Sequence, residues 1–251
     1  MAPRSPITPT DRALRAVLRQ GYPDNFTDRA KAIFASAFLT VHSVRVRKRS
    51  LKWNYTFGLG LITLYLFVLY LVSGVLLMFN YIPSVDKAYA SMLALQTDVA
   101  FGALIINLHT WSGHGLVLFA FLHMLRVFYT GAYRKPRRGN WVIGMVMLMV
   151  TLLMVFTGYV LPWDQNAYWA VAVGAEVLAQ GPIFGEHIRT LIIGGNEVGQ
   201  ATLTRFYVLH FVVTPGLLLV LTGMHLWRVR RDGGLASGPD DLELPSTKAR
   251  F

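Results

Sequence analysis

Four of the seven histidines in this chain are spaced so that they could work as pairs. His109 and His123 are 14 residues apart, and His210 and His225 are 15 apart. On a helix, 14 residues stop about 40° short of four full turns and 15 overshoot by about 60°, so each pair faces roughly one way. No cysteine occurs in the chain, and no Asp or Glu lies between Asp98 and Asp164 or between Glu197 and Asp232. The available donors around these positions are therefore neutral imidazoles. Two imidazoles facing each other suit bis-axial ligation of a haem iron, which needs no thiolate and leaves no open position. Zinc would want further ligands at each level, and a proton relay would recruit carboxylates. A single histidine at such a site is more often a helix–helix hydrogen bond.

Elements must hold these side chains, and the composition says which. Hydrophobic residues make up 54% of the 251 positions and charged residues 15%, with a mean hydropathy of +0.44, too apolar for an ordinary soluble domain. No charge lies between Lys52 and Asp86, Asp98 and Arg126, Arg138 and Asp164, or Arg205 and Arg228. Each gap accommodates a bilayer-spanning helix of about 20 residues. The predicted spans are 56–81, 104–129, 141–161 and 206–228, which makes an all-α, four-helix transmembrane bundle. The second and fourth spans run the same way. His109 is therefore level with His210, and His123 with His225, in two stacked pairs about 21 Å apart.

The net charge of +11 is distributed by topology. Eleven Lys and Arg precede residue 55, five lie from Arg126 to Arg138 and five from Arg228 onward, leaving Lys87, Arg189 and Arg205 for the other side. Basic flanks resist translocation, so both termini are expected in the cytoplasm, and the charge is read as membrane orientation, with no nucleic-acid partner. The absence of cysteine excludes disulfides, thiolate metal sites and thioether attachment of a haem through this chain.

The chain divides into a basic cytoplasmic segment (1–54), the four-helix domain (55–230) and a Gly-, Pro- and charge-rich tail (231–251). In the first, Thr27 can cap a helix whose Ile33, Phe34, Ala37, Phe38 and Val41 share one face, either lying in the membrane interface or contacting a partner subunit. The long connection from 162 to 203 has apolar pieces too short to span, which predicts short surface helices between the third and fourth spans. Gly60 and Gly74 are 14 apart, as are Gly144 and Gly158. Glycine lets a backbone approach a flat macrocycle closely, so two glycine levels matching two histidine levels fit two porphyrins between four helices.

The stretch from His109 to Arg126, the run GAYRKPR, GYVLPWDQNAYWAV, VGQATLTRFYVLH, and His225 followed by GLASGP resemble the cytochrome b/b6 family of quinol:electron-acceptor oxidoreductases over about residues 50–238. The 15-residue interval and the four spans resemble its split, b6-like form. The resemblance implies two non-covalent b haems: a lower-potential one on His109 and His210 near the outer face, and a higher-potential one on His123 and His225 near the inner face. It places Arg126 and Arg205 at haem propionates. It makes Gly158, Tyr159, Pro162, Trp163, Asp164 and Gln165 the wall of an outer quinol-oxidation pocket, and Arg230 part of an inner quinone region. Implied partners are a C-terminal cytochrome b fragment like subunit IV, a Rieske iron–sulfur protein and a c-type cytochrome, in a dimeric complex of a bacterial-type inner, energy-transducing membrane. Alone, the chain is expected to be inactive, since it has no Pro-Glu-Trp-Tyr-like element and Asp164 reads as a helix cap.

Two departures matter. Ile106 stands where relatives carry an arginine, and Gly58 stands where photosynthetic b6-type proteins carry a cysteine that attaches a further haem, so no covalent haem c is expected. The alternative reading is a dihaem cytochrome b anchor of a periplasmic dehydrogenase or hydrogenase, which also uses intramembrane histidines. His42, His114 and His187 are expected to be dispensable for haem.

Overall fold

The computed structural model describes residues 53–232. The amphipathic helix expected near Thr27–Val41, most of the 1–54 segment and nearly all of the tail lie outside the described residues. Among those described, every regular element is helical: α1 (Trp53–Thr56), α2 (Leu59–Met78), α3 (Ala88–Thr97), α4 (Gly102–Tyr129), α5 (Arg138–Val160), α6 (Gln165–Ala179), α7 (Gly185–Ile193), α8 (Gln200–Val208), a π turn (Leu209–Val213) and α9 (Thr214–Arg231). Four stretches are long and apolar enough to cross a membrane: α2, α4, α5 and the continuous Gln200–Arg231. Only 17–22% of each is buried within the chain, which leaves the outer faces of the spans to lipid or to other chains.

The first span's ends fall within three residues of the expected 56–81, whereas the fourth starts six residues before the expected 206, and both starts are set locally. α2 starts at Leu59 because Phe57 (φ 51) and Gly58 (φ 63) are left-handed and break the chain from α1. Gly58 is thus the residue before the span, at a φ that favours glycine. The fourth span begins at Gln200, earlier than its polar start suggests. There the Thr202 hydroxyl accepts from the Gly199 N–H (3.1 Å) and donates to the Ile193 carbonyl (2.6 Å), capping the helix. Gln200 also grips the loop after α2, accepting from Val85 N–H and donating to the Pro83 carbonyl, both at 3.0 Å.

Around the bundle, α2 packs on α4, α4 on α5 and α5 on α9. Its core is a layer of Phe67 and Tyr70 from α2, Leu116 from α4, Val150 and Met154 from α5 and Leu218 from α9. Phe67 lies midway between Gly60 and Gly74, and Leu116 midway between His109 and His123. The packed layer therefore separates the two histidine levels, with Tyr70 reaching the outer one. A second cluster, Val160, Val171 and Phe206, seats the surface helix α6 against the ends of α5 and α8. The end of the bundle that carries α6 and α7 is called outer below.

Candidate functional site

At the outer level the His109 and His210 rings stand 6.1 Å apart between centroids and 80° from coplanar. At the inner level His123 and His225 stand 6.5 Å apart, again at 80°. A metal atom sits about 2 Å from a ligating imidazole nitrogen, itself about 1 Å from its ring centre, so one metal between two rings asks for about 6 Å. Both levels leave that room. Among the described residues no group of three or more His, Cys, Asp or Glu is placed to hold a metal ion. Each level thus presents a pair of imidazoles with no third His, Cys, Asp or Glu donor of the described residues grouped with it.

The outer rings are fixed by their other nitrogen. His109 Nδ1–H points at the Tyr70 carbonyl (3.1 Å) beside the Ser73 hydroxyl (3.0 Å), and His210 Nδ1–H donates to the Met154 carbonyl (2.8 Å). A carbonyl only accepts, so Nδ1 carries the proton in both and Nε2 keeps a free lone pair. The Tyr70 ring stacks on His109 at 4.0 Å, resisting rotation. At the inner level His225 Nδ1 approaches the backbone of Asn140, fourteen residues before Met154, but makes no well-formed hydrogen bond.

Each imidazole also faces one glycine. A Cβ built on Gly60 would meet His123 (nearest atom 3.2 Å), one on Gly74 would meet His109 (3.0 Å), one on Gly144 would meet His225 (3.7 Å), and one on Gly158 would run into the His210 ring. The glycines on α2 and α5 therefore make room for the rings on α4 and α9, ring by ring. Their close approach in this structure is to the imidazoles themselves.

The 15-residue interval needs a correction. His210 lies inside the π turn Leu209–Val213, where the Thr214 N–H and hydroxyl both reach back five residues to the Leu209 carbonyl, the latter at 2.9 Å. Pro215 has no N–H for the usual bond to Phe211, and its ring crowds that carbonyl, which explains the shifted ladder. The turn absorbs one residue, so His210 and His225 keep nearly the phase of a 14-residue pair. The overshoot calculated for a regular helix does not arise.

Around the outer pair is a cavity of about 650 Å³ whose walls include Gly74, His109, Gly158, His210, Tyr159 and Asp164. Its outer rim is the GYVLPWDQ segment. Tyr81, beyond the end of α2, donates to the Leu161 carbonyl at 2.6 Å and stacks on Tyr207 at 5.9 Å. Burial, and then the neighbouring Tyr207, raise its phenol pKa well above the usual value, so it stays a donor. Trp163 turns the chain at φ 54, and Asp164 caps α6 by accepting from the Ala167 N–H at 2.8 Å.

Of the two arginines, Arg126 donates through Nε to the Tyr55 carbonyl (3.1 Å) and lies over the Tyr55 ring (4.6 Å), while its Nη2 is buried without a partner. An orphaned guanidinium N–H is what the carboxylate of a bound group would satisfy. Arg205 is instead turned toward the last carbonyls of α7, Leu191 (2.6 Å) and Thr190 (3.3 Å), and does not line the cavity. Arg189 bridges Glu176 of α6 and Glu186 of α7, and its hydrogen bond to Glu176 raises its pKa. Tyr81, Ser73, Tyr70, Met154 and Pro215 were not singled out from sequence. Pro215, five residues beyond a ligand histidine, was the readable signal.

The family model described as Cytochrome b/b6/petB matches residues 45–233. The chain belongs to the cytochrome b/b6 family. Cytochrome b6 of Prochlorococcus marinus (strain NATL1A) is 45% identical over 186 residues, covering 74% of this chain and 84% of that protein, and cytochrome b6 of Synechococcus sp. (strain CC9902) matches to the same extent. A chain of a solved hyperthermophilic respiratory Complex III superposes with a TM-score of 0.70 at 31% identity, covering 78% of this chain and 52% of the other. The chain thus spans about half the length of that structural neighbour. As a cytochrome b, the protein is a haem-carrying membrane protein of electron transport.

Proposed function

We propose that this cytochrome b is the four-helix half of a quinol-oxidising complex of the bc/b6f type, holding two non-covalent b haems stacked across the membrane. The observation that carries this reading is two imidazole pairs at matching levels, every ring backed by a glycine of a neighbouring span. His109 and His210 would hold the outer haem between Gly74 and Gly158. His123 and His225 would hold the inner one between Gly60 and Gly144, with Arg126 Nη2 offered to a haem carboxylate. When bound, the haems supply two one-electron relay sites between the faces of the membrane.

The chain's own residues set the conditions. Each haem would be held by two histidines, which would leave its iron no site for a small ligand. The Phe67–Leu116–Met154–Leu218 layer keeps water from the space between the levels. The Tyr159–Gln165 segment forms one wall of a quinol pocket, and the carboxylate of Asp164 there is engaged as a cap. Residues 55–230 form the haem domain, with both termini cytoplasmic by the distribution of Lys and Arg, in a bacterial-type inner, energy-transducing membrane.

A second cytochrome b fragment, like the subunit IV that the resemblance implies, is its proposed partner. With it belong a Rieske protein and a c-type cytochrome, in a dimeric complex. Purifying the complex from membranes and adding quinol tests the reading. Two b-type α-bands per chain, reduced by quinol, are expected. One band, or haems that quinol never reduces, would overturn it.

A further inference from the structure

The two imidazole levels differ in what stands beside them on the ligand helices. Residues three apart share a helix face, about one turn along. Toward the inner end, the residue three beyond each histidine is an arginine, Arg126 after His123 and Arg228 after His225. Arg126 keeps a buried Nη2 without a partner, and Arg228 faces Asp232 at 3.8 Å. Toward the outer end, the equivalent positions are Ile106, three before His109, and Tyr207, three before His210. Both line the outer cavity, and among the described residues no Lys or Arg lines it.

The charged side chains nearest this end are engaged elsewhere. Asp164, the one carboxylate in the cavity wall, caps α6, and Arg205 is held on the Leu191 and Thr190 carbonyls. An acidic group entering the cavity therefore meets no cation of its wall and has to be held by neutral donors. Tyr207 is placed to be one. Its ring stacks on Tyr81 and on Phe211, at 5.9 Å from each. The Tyr81 hydroxyl is engaged with the Leu161 carbonyl, whereas the hydroxyl of the half-buried Tyr207 makes no hydrogen bond among the described residues. Haem carries its two carboxylates on one edge. Such an edge costs least toward the near water-facing end of a span, the direction in which Tyr207 lies from His210.

We propose that the Tyr207 hydroxyl donates a hydrogen bond to a carboxylate of the outer haem, at the position where the inner level has an arginine. The proposal rests on the two-haem reading and makes Tyr207 a residue that tunes the outer haem. A phenol donating to the carboxylate draws negative charge away from it, so removing the phenol makes the iron harder to reduce, and adding a cation makes it easier.

The test is an equilibrium redox titration of the haem-loaded complex purified from membranes, above neutral pH, where a carboxylate is ionised. The inner haem serves as internal reference. Tyr207→Phe keeps the ring and its stacking, and is expected to disfavour reduction of the outer haem about threefold, roughly 30 mV for a one-electron couple. Ile106→Arg supplies the missing cation and is expected to favour that reduction about tenfold, about 59 mV. Both should leave the inner potential in place. An unmoved outer potential in either variant overturns the proposal, as does a shift in Tyr207→Phe shared equally by the two haems, which would make Tyr207 structural. Where Ile106→Arg fails to assemble, Tyr207→Phe decides alone. A wild-type complex with a single b component would overturn the two-haem reading itself, whereas two components with an unmoved outer potential in Tyr207→Phe overturn this proposal only.

Discussion

Four glycines with the same 14-residue spacing should respond differently to the same substitution. Carbon atoms pack at about 3.5–4.0 Å. A Cβ on Gly144 would find its nearest neighbour, His225 Cε1, at 3.7 Å, an ordinary contact. On Gly158 it would stand 2.9 Å from His210 Nδ1 and 3.0 Å from Nε2, with Cε1 closer still. The His210 ring would have to retreat by most of an ångström, stretching its 2.8 Å bond to the Met154 carbonyl. Overpacking of this kind costs about 1–3 kcal/mol, and losing the hydrogen bond about 1 more. Gly158→Ala should therefore weaken outer-haem retention by roughly 2–4 kcal/mol, a factor of about 30 to 1000. Gly144→Ala should cost the inner haem under about 1 kcal/mol. Alanine's helix-propensity gain of about 1 kcal/mol acts on both variants alike, so their difference isolates the contact. Haem per chain by pyridine haemochrome, with redox titration to tell the two bands apart, reads this directly. Equal losses in the two variants, or an intact outer haem in Gly158→Ala, would refute the assignment of these glycines to ring clearance.

The remaining expectations concern content, selectivity and the outer rim. The purified chain should release two b haems to acid-acetone and bind no carbon monoxide; one haem, or haem that stays attached, would contradict the paired ligands. His225→Ala should remove only the inner, higher-potential component and His187→Ala neither, as redox titration would show. Tyr81→Phe removes the donor to the Leu161 carbonyl and should lower the thermal midpoint by about 1 kcal/mol equivalent. Because its folded-state pKa is raised, that contribution is complete below the unfolded phenol value and is lost only above it, so the decrement should be equal at pH 6 and pH 9; unequal decrements would refute the cause given. Asp164→Ala should lose about 1 kcal/mol of α6 capping while Asp164→Asn keeps most of it. Abolished quinol turnover in Asp164→Asn would move an acid–base role onto that carboxylate.

What the sequence reveals here follows from periodicity. Charge-free runs mark the four spans, since the bilayer requires such runs, and the first three spans begin and end within three residues of expectation. Equal intervals of His and Gly reveal two levels because a helix converts interval into phase. Contacts to backbone groups leave no such trace. The carbonyls of Tyr70 and Met154 that orient His109 and His210 belong to residues of any type, and nothing in the sequence says that Leu161 accepts from Tyr81. Arg205 illustrates the same limit. Its position in VGQATLTRFYVLH reads as a haem contact by resemblance, yet its guanidinium lies on α7 carbonyls whose placement depends on the surface helices.

The unequal histidine intervals show how a local irregularity can preserve a global register. A regular helix would carry His210 and His225 about 100° further apart in phase than His109 and His123, one full residue's rotation. Facing pairs at both levels would then require one ring to leave its rotamer or the two helices to twist about each other. The π turn removes that residue from the phase count at its source, and Pro215 enforces it from within α9 by denying the regular bond to Phe211. Both levels consequently show nearly the same ring separation, 6.1 and 6.5 Å, and the same 80° angle. The irregularity includes His210, whose ring also stands closer to Gly158 than any other ring stands to its glycine.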